Sequence, residues 1–146
     1  MKIRKSYIVS IILILLIGIQ FIRPARNYSG ATSENSLGRL YEIPDTVSWV
    51  LQKACVDCHS NTTRYPWYSN IQPLGWILAN HIRKGKTDLN FDEFGTYSGR
   101  KQKNKLKAVV NVIRDNKMPL RSYAWMHKDA RLNEKEKQLL INWFTK

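Results

Sequence analysis

The 146-residue chain holds only two cysteines, and they stand three apart with a histidine directly behind them: Cys55-Val56-Asp57-Cys58-His59. Nothing else in the chain restricts the fold as much, because Cys-x-x-Cys-His is the pattern at which a c-type haem is attached. Residues i and i+3 of one helical turn share a face, so both sulfurs can meet the two vinyl groups along one edge of a porphyrin. His59 then lies beneath the ring, where its imidazole takes the proximal position on iron. The expected cofactor is one haem c, bound covalently through Cys55 and Cys58.

Other chemistries suit the five residues less well. A Cys55–Cys58 disulfide would close a loop too small to restrain much of the unfolded chain. A thioredoxin-like redox pair needs a strand-helix-strand setting, and none is visible near residue 55. Zinc needs four tetrahedral ligands, but adjacent Cys58 and His59 hardly reach one ion together and no second close ligand pair exists.

The length allows one domain plus an appendage. The appendage is N-terminal. Lys2, Arg4 and Lys5 precede an apolar run from Tyr7 to Ile22, broken only by Ser10, Gly18 and Gln20. The expected organisation is a cytoplasmic n-region over 1–6, a transmembrane signal-anchor over 7–22, a flexible tether over 23–43 and the haem-binding domain over 44–146. Small residues of the cleavable kind occur only at Ser29-Gly30-Ala31, well past the run, so an uncleaved anchor is favoured over a cleaved signal peptide. A bacterial inner-membrane protein with a single span and its haem domain in the periplasm follows, because haem c is attached on the outer side.

Formal charge is the outlier at +13, of which residues 27–146 carry +8. Arg100, Lys101, Lys103, Lys105 and Lys107 crowd one helix start. Such a run is usually a solvated face, and it also suits anionic lipid or an acidic redox partner. An exported chain excludes nucleic acid as a partner.

Within the domain, Asp45 or Thr46 caps a helix whose Val47, Val50, Leu51 and Ala54 recur at helical spacing and which delivers Cys55. A second helix over about 74–84 places Leu74, Ile77, Leu78, His81 and Ile82 on one face and stops at Gly85. Asn90 opens a short helix, and Leu106, Val109, Val110 and Ile113 form the stripe of one over about 101–116. Met118 to Leu120 is a loop, as is the stretch holding Met126 and His127. Asn133 and Glu136 make a capping-box pair before a final helix with Leu139, Leu140 and Trp143 inward. Between the motif and the second helix, Tyr65, Trp67 and Tyr68 either wall the haem or fill core.

With these residues in view, the chain resembles the bacterial haem-binding domain family of single-haem, cytochrome c-like proteins. The resemblance spans roughly Ile43 to Trp143. It rests on Ala54 to Asn61, Tyr65-Pro66-Trp67-Tyr68-Ser69, Ile71-Gln72-Pro73 with Trp76 and His81, Leu89-Asn90-Phe91, and Met118-Pro119-Leu120 with Tyr123, His127 and the Leu132 to Trp143 helix. The chain departs from the pattern at Phe94, where tryptophan is expected. The resemblance implies an all-α fold, a small cytochrome c-like helical domain around covalent haem behind one transmembrane helix, serving a periplasmic electron chain. The expected cofactor-contacting set is Cys55, Cys58, His59, Tyr65, Trp67, Tyr68 and Trp76.

The expected function is a membrane-anchored electron carrier, not an enzyme. A haem-based sensor or small peroxidase with a labile sixth ligand is the rival. Met118 leads as sixth ligand, because the 59 residues after His59 can wrap the ring and return over its other face. Pro119 stiffens that return. His81 is the alternative, ahead of Met126 and His127.

Overall fold

The computed structural model describes residues 5–29 and 33–146. Lys2 and Arg4 of the n-region, and Gly30-Ala31 of the cleavage signal, lie outside them. The described residues form helices and no strands. These are α1 (Lys5–Ile19), α2 (Leu37–Leu40), α3 (Asp45–Ala54), α4 (Val56–His59), α5 (Leu74–Asp88), α6 (Gly99–Arg114), α7 (Arg121–Met126) and α8 (Glu134–Phe144), with 3-10 turns at Trp67–Asn70, Phe91–Thr96 and Lys128–Ala130.

The main core lies where α3, α6 and α8 meet. Val47, Val50 and Leu51 of α3 pack with Val110 and Ile113 of α6, Leu140, Ile141 and Phe144 of α8, and fully buried Phe94. Each such aliphatic side chain contributes about 1.5–3 kcal/mol by leaving water. At α8 the Asn133 side chain accepts from the Glu136 amide and Glu136 returns the bond, completing the capping box. A second, smaller cluster joins Tyr68 to Leu78 and Ile82 of α5, with Cys58 and Tyr65 against it.

Several elements differ from the sequence expectation. α3 begins at Asp45 with Pro44 at the cap and no side-chain cap bond. α5 runs through Gly85 to Asp88. Gly85 clears space for a neighbour here: a Cβ on it would lie 2.6 Å from the Cys58 carbonyl oxygen. Leu74 and Ile77 are exposed, so the buried face of α5 is carried by Leu78 and Ile82. On α8 the buried stripe is Leu140, Ile141 and Phe144, with Leu139 and Trp143 only partly covered. Met126 ends α7, and does not lie in a loop.

The N-terminal segment also differs. No helix among the described residues is long and apolar enough to cross a membrane. Residues 7–19 of the run lie in α1, and Gln20 to Ile22 follow its end at Ile19. The helix ends where the domain captures the chain. Gln20 Nε2 donates to the Gln72 carbonyl at 3.1 Å and Gln20 Oε1 accepts from the Gln72 amide at 2.9 Å. Trp76 Nε1 donates to the Ile22 carbonyl at 2.8 Å.

In the stretch of tether composition, Asn27 donates to the Ser60 carbonyl and to Thr63 Oγ1, both at 2.9 Å, and accepts from Lys86 Nζ at 2.7 Å. Further on, Leu37 of α2 is buried and the Asn35 carbonyl accepts from the Gly95 amide at 2.8 Å.

Candidate functional site

α3 ends at Ala54 and α4 restarts one residue later, with Cys55 between them at φ −127°. This break turns the motif between the two cores. Cys55 and Val56 pack on the main core, and Cys58 packs on the second cluster. Burial, reinforced by Cys58 beside Cys55 and by Asp57 beside Cys58, pushes Cys55 up to about 12 and Cys58 up to about 11. Both thiols therefore stay protonated at neutral pH, unlike the activated thiolate of a redox pair.

His59 Nδ1 lies 3.0 Å from the Leu89 carbonyl oxygen. A carbonyl only accepts, so Nδ1 carries the proton and the lone pair of the neutral ring is on Nε2. That bond orients the ring and raises the basicity of the free nitrogen, as an outer partner does for a metal-ligating histidine. The Leu89 backbone is itself held. Leu89 is buried at the end of α5, and its neighbour Asn90 bonds to Asn61 Oδ1 at 2.8 Å.

A cavity of about 290 Å³ opens beside this ring, lined by Cys58, His59, His81, Lys84, Met118 and Tyr123 among others. It sits at the small end of ligand pockets, about 300–1,000 Å³. Met118 reaches it through the C-terminus of α6. Asn116 adopts φ 54°, its amide bonds to the Ile113 carbonyl at 3.1 Å, and the Lys117 amide bonds to the Val112 carbonyl at 2.9 Å. This left-handed helix stop reverses the chain. His81, from α5, lines the same cavity.

Asp57, buried between the two cysteines, ties the motif to the chain beyond Met118. Its Oδ1 accepts from the Arg64 amide at 3.1 Å and Arg64 Nε at 3.3 Å, and its Oδ2 accepts from the Tyr123 hydroxyl at 2.7 Å. Burial, with the bond to Asp57, holds the Tyr123 phenol well above its ordinary value, so it remains a donor. Tyr123 stacks on His127 at 4.1 Å between ring centroids. His127 Nδ1 donates to the Tyr123 carbonyl at 3.1 Å.

The structure thus brings Cys58, His59, Met118 and His81 to one cavity, with Tyr68 packed behind Cys58. Cys55 lies on the main-core side of the motif. Tyr65 is turned away, its hydroxyl accepting from the Asn27 amide at 2.6 Å. Trp76 is bonded to Ile22, and Trp67 is 73% exposed. Met126 lines an adjoining cavity with Leu74 and Ile77, and His81 and Tyr123 line both. Sequence reasoning passed over Asp57 and the Leu89 carbonyl, and read Gly85 only as a helix stop.

The residues suit a haem. Among the described residues no three His, Cys, Asp or Glu side chains stand close enough to hold a metal ion alone. The cavity offers donors that would hold a haem iron: an imidazole with its outer nitrogen committed, a thioether and a second imidazole. Fold and site together define an all-helical haem-binding domain. The chain belongs to the haem-binding domain family, whose model matches residues 14–146. No curated protein and no solved structure matches it significantly.

Proposed function

We propose that this protein is a monohaem c-type cytochrome that carries single electrons at the periplasmic face of a bacterial inner membrane. The observation that carries the reading is His59, with Nδ1 bonded to the Leu89 carbonyl at 3.0 Å and its ring lining the cavity that Cys58 and Met118 share. Cys55 and Cys58 are the attachment residues, His59 the proximal ligand and Met118 the sixth. When bound, the haem supplies one-electron exchange at iron. The protein's part is to hold the imidazole by the Leu89 carbonyl, to hold the thioether by the stop of α6, and to keep both elements together through Asp57 and Tyr123.

The membrane reading rests on α1. None of its residues is buried, and Ile8, Ile11, Ile12, Leu13, Ile14 and Leu15 are all exposed. A helix apolar on every side has a place in lipid and none in water. The basic surface, +13 over the whole chain, suits an acidic redox protein as partner.

The test is a denaturing gel stained for haem peroxidase activity, after expression with a haem-attachment system. The wild-type chain is expected to give a stained band that Cys55→Ala with Cys58→Ala abolishes. A band surviving the double substitution would sink the covalent reading.

A further inference from the structure

The segment that captures the end of α1 also carries exposed apolar side chains with nothing over them. Gln72 holds Gln20, Trp76 holds the Ile22 carbonyl, and Asn70 Oδ1 accepts from Arg26 at 2.7 Å. Between and beside these bonds, Trp67 is 73% exposed, Ile71 45% and Leu74 40%, and Ile77 one turn further along α5 is 49% exposed. Leu74 and Ile77 line the cavity that holds Met126 and His81, which leaves Trp67 and Ile71 as the outward apolar side chains of this stretch.

We infer that the face formed by Trp67 and Ile71 is a lipid-contact surface on which the domain rests directly against the bilayer that receives α1. The inference rests on the membrane reading of α1 and goes beyond it, since an anchored domain need not touch lipid. Three observations select lipid as the occupant. The face is continuous with α1, because the bonds that end the helix are made by the same stretch of chain. The apolar run is short: Tyr7 to Ile22 would reach about 24 Å as a helix at ~1.5 Å per residue, against ~30 Å of hydrocarbon. An apolar rim sunk at the helix end meets part of that mismatch. A tryptophan stands on the rim and Arg23 and Arg26 lie just past the helix, the residue types that settle at headgroup level.

The consequence is a domain held in one orientation, with Asn27 clamped to Ser60, Thr63 and Lys86 directly behind the helix. Full-length haem-loaded protein is reconstituted in phosphatidylcholine–phosphatidylglycerol vesicles carrying a photoactivatable diazirine near the acyl carbonyl, and lipid adducts are mapped by peptide mass spectrometry. Adducts are expected in α1 and in the 65–77 peptide. Adducts in α1 alone overturn the docking and leave the membrane reading standing, and adducts in neither overturn both. Trp67→Glu with Ile71→Glu, at exposed positions and with folding checked by the haem spectrum, is expected to give about tenfold fewer adducts in 65–77 while α1 labels as before. Unchanged labelling in that variant overturns the assignment. A dimer in detergent, combined with missing 65–77 adducts, gives the face to a second copy of the chain and likewise overturns it.

Discussion

The Tyr123 hydroxyl reaches across 66 residues of sequence to donate to Asp57 Oδ2 at 2.7 Å, inside the Cys-x-x-Cys-His segment. This one bond fastens α7, directly behind the Met118 loop, to the motif that holds Cys55 and Cys58. Tyr123→Phe leaves a buried carboxylate oxygen without its partner. The expected loss is about 1.5–3 kcal/mol in urea unfolding, the usual worth of a buried hydrogen bond to a charged group. A loss within experimental error would show that Arg64 alone satisfies Asp57.

Gly85 and Gly99 give a matched pair. A Cβ at Gly85 would meet the Cys58 carbonyl oxygen at 2.6 Å, whereas one at Gly99 would meet nothing within 4 Å. Gly85→Ala is expected to push α5 off α4, costing about 1–3 kcal/mol and lowering the yield of haem-stained protein. Gly99→Ala is expected to stay within about 0.5 kcal/mol of wild type. Equal melting of the two variants would refute the close-approach role.

The sixth ligand is read from absorption of the oxidised protein. A thioether ligand gives low-spin ferric haem a weak near-red charge-transfer band. Wild type and His81→Ala are expected to show it, and Met118→Ala to lack it. A low-spin wild type that lacks the band and turns high-spin only on His81→Ala would make His81 the ligand, and a high-spin wild-type spectrum would favour the sensor or peroxidase class.

Acid is expected to weaken the contact between α3 and α8. Burial alone would raise the Glu136 carboxyl, but the hydrogen bonds from Lys53 and the Asn133 amide, with the Lys53 charge, outweigh it and leave its pKa lowered. The bond to Lys53 Nζ is 2.6 Å, with both side chains nearly covered. A carboxyl lowered on folding stabilises above its unfolded value, about 4.3, and loses that contribution as pH falls through the folded value. Urea unfolding of wild type and Glu136→Gln should therefore differ most at pH 6 and converge towards pH 3. A gap that stays constant over that range would be evidence against the ion pair.

Periodicity made α3, α6 and α8 legible, because Val47, Val50, Leu51, Val110, Ile113 and Leu140 mark faces that a local pattern records. The capping box at Asn133 was equally local. Gly85 was misread, since a glycine that stops a helix and one that admits a neighbouring backbone look alike in sequence. The reason for Gly85 lies at Cys58, on another element. α7 is short, and its Tyr123 is held by a partner far away in sequence, so no periodic signal announced it. Around the motif, His59 was evident but its Leu89 partner was not, because any residue type offers a carbonyl. Asp57 carried a visible signal, an acid between two cysteines, whose meaning depended on Tyr123.

The division of the motif between two clusters has a consequence for unfolding. Cys55 and Val56 belong to one apolar cluster and Cys58 to the other, so neither can come apart without dragging on the five residues they share. The pentapeptide acts as a seam, and two cores stitched along it melt as one cooperative unit.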